Sequence, residues 1–150
     1  MKTTTMKWAL MVMVSTSMFV SCKKDKDEDK PSGCEISKTN LVGSYKLTAL
    51  EYKQSATAQP VNYLAFMEDC EKDDILVLGN DGNYENKDAG TVCESHEVQK
   101  GTWDVVGHTI NINGMLQQGI ITSYDCKTLI CYVENGITQG DRMTYTLVKQ

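Results

Sequence analysis

From Leu41 to the C-terminus, apolar and polar residues alternate with a period of two, as in half-buried strands of an antiparallel sheet. In the first run Gly43, Tyr45, Leu47 and Ala49 share one face and Ser44, Lys46 and Thr48 the other. Comparable runs follow at 75–78, 98–105, 109–113, 119–124, 129–133 and 143–148. Turn chemistry separates them. Asn80-Asp81-Gly82-Asn83 is the strongest hairpin signal, because Asp-Gly supplies the positive φ angles of a tight primed turn. Val106-Gly107-His108 and Glu134-Asn135-Gly136 are further turns. Long helical periodicity is missing, although residues 55–71, with Leu64, Ala65 and Met67, have room for a short helix or an irregular crossing. About eight short strands at close spacing predict a barrel or a sandwich. Tyr45, Leu76, Leu78, Tyr84, Trp103, Val105, Ile110, Ile112, Tyr145 and Leu147 fall on the inward faces.

Ahead of this body the pattern is different. Residues 1–7 carry Lys2 and Lys7 and no acid, and residues 8–20 are apolar except for Ser15, Thr16 and Ser17. This is the layout of an export signal over 1–21. The apolar run falls short of the roughly 20 residues that a membrane-spanning helix needs. Its end, Phe19-Val20-Ser21-Cys22, resembles the bacterial lipobox, with Phe19 where Leu is usual. The resemblance implies that the Cys22 thiol carries diacylglycerol, that cleavage precedes it and that its new amine is acylated. The membrane is then a partner through the lipid, since two or three acyl chains anchor firmly where one does not. The implied location is the outer membrane, at its periplasmic face or on the cell surface. Ordinary secretion, with Cys22 an incidental thiol, is the alternative.

Residues 23–33, from Lys23 to Gly33, contain nothing apolar to bury and read as a tether. The lipidated Cys and its charged tether are assigned to 22–40 and the folded domain to 41–150. A Lys- and acid-rich stretch directly after the lipidated Cys also looks like the signal that sends Bacteroidetes lipoproteins to the cell surface, with a plain solvated spacer as the alternative.

Within the body, Leu41-Val42-Gly43-Ser44-Tyr45-Lys46-Leu47, Cys70, Asp73-Asp74-Ile75-Leu76, Asp81-Gly82-Asn83-Tyr84, Cys93 and Gly101-Thr102-Trp103 together resemble the lipocalin-like domain of Bacteroidetes lipoproteins. Tyr45 stands where that family usually has Trp, and Trp103 fits the pattern. The resemblance implies an all-β, antiparallel up-and-down barrel of about eight strands, of lipocalin or calycin type, with a mouth for a small apolar ligand. Tyr45, Tyr84, Trp103 and Tyr145 are the candidate ligand contacts. Bulky inward residues are more often core, so a filled barrel that works through its loops and protein partners is the rival reading. A two-sheet sandwich of adhesin type is a third.

Six cysteines in an exported chain suggest disulfides. With Cys22 lipidated, five remain. The midpoint between Cys70 and Cys93 falls between Asp81 and Gly82, so these two cysteines should lie opposite one another across the hairpin. A bridge there is worth about 3 kcal/mol. Residues 125–128 look like a turn, which puts Cys126 in a loop and Cys131 in the next strand. Cys34 is left to pair with either, and one thiol stays free or pairs between molecules.

A net charge of -5 and a pI near 5.0 argue against nucleic acid as a partner. His96 and His108, the only histidines, fall in polar or turn segments, and no Gly-x-Ser-x-Gly elbow, phosphate loop or dinucleotide fingerprint is present. The chain reads as a binding protein without catalytic residues, cofactor or metal. No C-x-x-C pair supports zinc, and Asp81, Asn83 and Glu85 lack the glycine that a calcium loop requires. The acidic run Glu68, Asp69, Glu71, Asp73 and Asp74 reads as a solvated loop, with a weak divalent-cation site as the lesser alternative.

Overall fold

The computed structural model describes residues 34–93 and 99–150; the export signal, Cys22, the tether as far as residue 33, and His96 lie outside the described residues. Eight strands form a ring in chain order: β1 (Gly43–Lys53), β3 (Ile75–Leu78), β4 (Asn83–Lys87), β5 (Lys100–Val106), β6 (Thr109–Ile112), β7 (Leu116–Tyr124), β8 (Thr128–Glu134) and β9 (Arg142–Lys149). Each pairs antiparallel with the next. β9 returns to β1, placing Lys46 opposite Val148 and Leu50 opposite Tyr145. This closing pair distinguishes a barrel from a sandwich, and it removes the exposed edges an open sheet would have. A two-residue strand, β2 (Val61–Asn62), adds to the far end of β1.

The alternation read from the sequence holds until bulges interrupt it. Between Leu47 and Ala49 the register against β9 shifts, so Leu50 takes the inward position and Ala49 does not. One extra residue reverses the face of everything after it. Of the ten residues expected inside, all but Val105 and Tyr145 are fully buried, and those two pack against the same core. Leu41, Leu116, Ile121, Tyr124, Leu129 and Cys131 complete it.

The Asp81-Gly82 turn differs from the expected primed form. Only Gly82 has a positive φ, at 84°. The Gly82 N–H donates to the Gly79 carbonyl, while Asp81 spends its carboxylate on the N–H of Asn83 at 2.9 Å. That local bond favours an ordinary turn ending in a left-handed glycine over one with two positive φ angles. Gly107, with φ 59°, opens the two-residue β5–β6 turn, where a primed turn takes glycine first.

A short helix, α1 (Lys38–Leu41), closes one end of the ring. Ser37 caps it by accepting the N–H of Asn40, and Leu41 is driven wholly into the barrel, a burial worth about 1.5–3 kcal/mol. Cys34 is bonded to Cys126 in the β7–β8 turn, with their Cα atoms 5.0 Å apart. Residues 34–40, which the sequence reading placed in the tether, are therefore fixed to the barrel. Their polarity reflects capping and hydrogen bonding.

At the opposite end, the crossing from β1 to β3 contains a 3-10 turn (Tyr63–Phe66) and α2 (Asp69–Lys72). Cys70, in α2, is bonded to Cys93 in the loop after β4, with Cα atoms 5.4 Å apart. The hairpin brings this pair together as the sequence midpoint suggested. Both cysteines lie beyond the ends of the strands, however, so the bridge staples two loops over the open end.

Candidate functional site at the open end of the barrel

A chamber of about 260 Å³ lies under these stapled loops. Its walls are Leu47 and Leu50 from β1, Leu76 from β3, Ile112 from β6, Leu116 from β7, and Tyr145 and Leu147 from β9. Met67, Glu71 and Asp74 of the crossing, with Met115 of the β6–β7 turn, cover it. Alternation supplies the apolar walls. Met67 and Met115, unbranched and adaptable, fill the irregular space of its cover.

Side by side with the chamber is an open groove of about 1000 Å³ between the β6–β7 turn and the loop joining β8 to β9. Met115 and Tyr145 belong to the walls of both. The loop wall of the groove is held by Asp141. This residue is only 2% exposed, and its carboxylate accepts the N–H groups of Gly136 (2.8 Å), Ile137 (3.0 Å) and Thr138 (2.7 Å) and the Tyr52 hydroxyl (3.3 Å). Burial alone would raise its pKa, but these donors hold it below the usual carboxylate value.

The four aromatic residues expected to contact ligand separate. Tyr145 lines the chamber, and burial, with the neighbouring Cys131, raises its pKa. Tyr45, Tyr84 and Trp103 do not line it, because their polar atoms are committed to main-chain carbonyls. Tyr45 donates to Leu41 at 2.8 Å, Trp103 Nε1 to Gly79 at 2.9 Å, and Tyr84 to Asn113. Tyr84 lies so close over Gly101 that a Cβ there would sit 2.8 Å from its ring. These three side chains are core. Nothing in the alternation of apolar and polar residues marks Met115 or Asp141, and Met67 stands out in the sequence only as part of a crossing.

The acidic run is not one site. Asp69 pairs with Lys72 at 2.9 Å, Glu71 accepts the Glu68 N–H at 2.8 Å to cap α2, Asp73 accepts the Thr91 N–H, and Asp74 accepts from Asn86. Asp73, Asp74 and Asp88 do converge, each offering a carboxylate oxygen within 4.8 Å of the others. Glu68, Cys70 and Cys93 also cluster, but both sulfurs are used in the disulfide. His108 sits in the β5–β6 turn at the closed end, its Nδ1 3.3 Å from the Ile121 carbonyl oxygen.

The model of the lipocalin-like domain family matches residues 41–146, which are nearly the whole of the ring. The chain belongs to the lipocalin-like domain family. No curated protein and no solved structure matches it. The lipocalin-like barrel found here has one end closed by α1 and a chamber under the other, the arrangement of a ligand-binding fold of calycin type.

Proposed function

We propose that this lipocalin-like protein is an envelope lipoprotein, anchored to the outer membrane through Cys22, that binds a small apolar ligand and is not an enzyme. The observation that carries the binding reading is the chamber, lined mainly by Leu, Ile and Met, with Tyr145, Glu71, Asp74, Asn86 and Gln99 as its few polar side chains. Pockets for small ligands have this composition, apolar walls with a few polar groups that fix orientation. The anchor reading rests on the lipobox-like Phe19-Val20-Ser21-Cys22 and the charged residues behind it.

Native mass spectrometry of protein purified without detergent, together with uptake of an environment-sensitive apolar dye, tests the binding. A bound mass or saturable dye fluorescence is expected, and Leu47→Trp, which fills the chamber, should abolish uptake while the far-ultraviolet spectrum is kept. An unliganded mass with no dye uptake would refute a binding chamber. Radiolabelled palmitate incorporated in the wild type but not in Cys22→Ala would support the anchor, and equal labelling of both would refute it.

A further inference from the structure

The chamber and the groove adjoin at Met115 and Tyr145, which line both, so a single molecule that displaces the Met115 side chain would reach from one into the other. The two spaces ask for different chemistry. The chamber is apolar and, at about 260 Å³, holds eight or nine groups of water size at about 30 Å³ each, the bulk of a short alkyl chain. The groove is mixed: Thr109, Asn111, Gln117, Gln118, Glu134 and Asn135 supply its polar groups, beside the apolar Ile120, Val133, Ile137 and Met143. Carboxamides offer donors and acceptors together, as hydroxyl groups of a ligand require. The only charged group among these, Glu134, is already paired with Arg142 at 2.6 Å.

No Lys, Arg or His lies among the described residues lining either space, and the charged ones, Glu71, Asp74 and Glu134, are all acids. A carboxylate or phosphate head in the groove would find no unpaired cation, since Arg142 beside it is already engaged by Glu134. The groove also concentrates unusual backbone. Gln118 (φ 54°) and Asn135 (φ 57°) are non-glycine residues held left-handed, the first with its N–H bonded to Asn111 Oδ1 at 2.9 Å, the second with its Oδ1 accepting the Gly140 N–H at 2.7 Å. Such conformations persist only where surrounding bonds enforce them, and here they set the positions of two groove amides.

We propose that the barrel takes an amphiphile with a short apolar tail in the chamber and an uncharged, hydroxyl-rich head, such as a sugar, in the groove. Met115 is the movable partition between the two. This rests on the reading of the chamber as a ligand site and specifies the class of ligand.

The test compares four probes sharing one tail, namely octyl glucoside, octanol, octanoate and octyltrimethylammonium. Each is titrated below its micelle-forming concentration against the dye-loaded protein. Octyl glucoside should bind about tenfold tighter than octanol, the equivalent of one or two net hydrogen bonds, and tighter than either charged probe. Gln117→Ala with Gln118→Gly, the glycine chosen because it accepts the left-handed φ, should erase the advantage over octanol and leave octanol itself unchanged. Octanol matching the glucoside, or octanoate or the ammonium compound matching or exceeding it, would overturn the proposal while leaving the chamber as a ligand site. Failure of all four probes to displace the dye, or of the dye to bind, would overturn the chamber reading as well.

Discussion

The Tyr124 hydroxyl donates to the main-chain carbonyl of Asn40, a residue 84 positions away, and Lys149 Nζ donates to the same oxygen at 2.9 Å. Two strands thereby hold the last turn of the segment that closes the barrel. Tyr124→Phe keeps the ring and removes one of the two donors, so the loss should be that of one net hydrogen bond, about 0.5–1.5 kcal/mol. Urea denaturation should show that drop, and hydrogen exchange should show it concentrated at Leu41 and Val42, whose N–H groups bond to Ser37 and Lys38. Unchanged protection at those two amides would mean that Tyr124 does not secure the cap.

The two disulfides close loops of different size, with separations of 92 residues for Cys34–Cys126 and 23 for Cys70–Cys93. In the chain-entropy account the longer loop constrains the unfolded state more, by about 1 kcal/mol. Replacing Cys34 and Cys126 with Ala should therefore destabilise the domain more than replacing Cys70 and Cys93. The second pair of substitutions should chiefly loosen the loops over the chamber and speed dye exchange. Peptide mapping without reductant should yield both cross-linked pairs. Alkylatable Cys70 and Cys93 in the native protein would contradict the staple.

The ring of strands was legible because half-buried strands impose a period of two, and Tyr45, Leu76, Trp103, Ile110 and Leu147 obey it. Ala49 misled because a bulge is set by how β1 meets β9, strands nearly a hundred residues apart. Residues 34–40 follow a charged run, and their polarity matched it. Ser37, three residues before the Asn40 whose N–H it accepts, is a helix-start residue, but the groups that hold this segment, Cys126 on Cys34 and Tyr124 and Lys149 on Asn40, lie far along the chain. The chamber was illegible for a related reason. Whether inward residues fill a barrel or line a space depends on how far each reaches. Tyr84 and Trp103 reach main-chain carbonyls, whereas Leu47 and Leu50 stop short and leave room beneath Met67 and Met115.

Cys131 is the free cysteine among the described residues, wholly buried beside Leu129 and Ile121, and burial pushes its thiol up to about 12. A thiol that is neither ionised nor accessible does not react at neutral pH. Alkylation followed by mass spectrometry should leave Cys131 unmodified in the native protein and modify it fully in denaturant. Cys131→Ser places a hydroxyl among aliphatic side chains and should cost about 1–3 kcal/mol, more than Cys131→Ala, because Cys behaves here as a small apolar residue. Rapid native alkylation at Cys131 would contradict its placement.

Asp141 links the groove to the pH dependence of the fold. Its carboxylate is held below the ordinary value of 3.8, against the pull of burial, by the main-chain N–H groups of Thr138, Ile137 and Gly136 and the Tyr52 hydroxyl. A group whose folded pKa is depressed adds stability that is fully present above its unfolded pKa and is lost as pH falls through the folded value. The wild type should therefore lose stability progressively from about pH 5 downward, in part through Asp141. Asp141→Asn removes the charge at every pH and replaces one acceptor oxygen with a donor facing the same N–H groups. It should be markedly less stable at pH 7, and the difference from wild type should narrow below pH 4. Thermal melts of both proteins from pH 7 to pH 3 provide the measurement. A stability gap that stays constant across that range would show that the charge on Asp141 is not what holds the loop from Asn135 to Gly140. If the loop does depend on that charge, the groove wall and its Asn135 amide should loosen in the same acid range in which the gap closes.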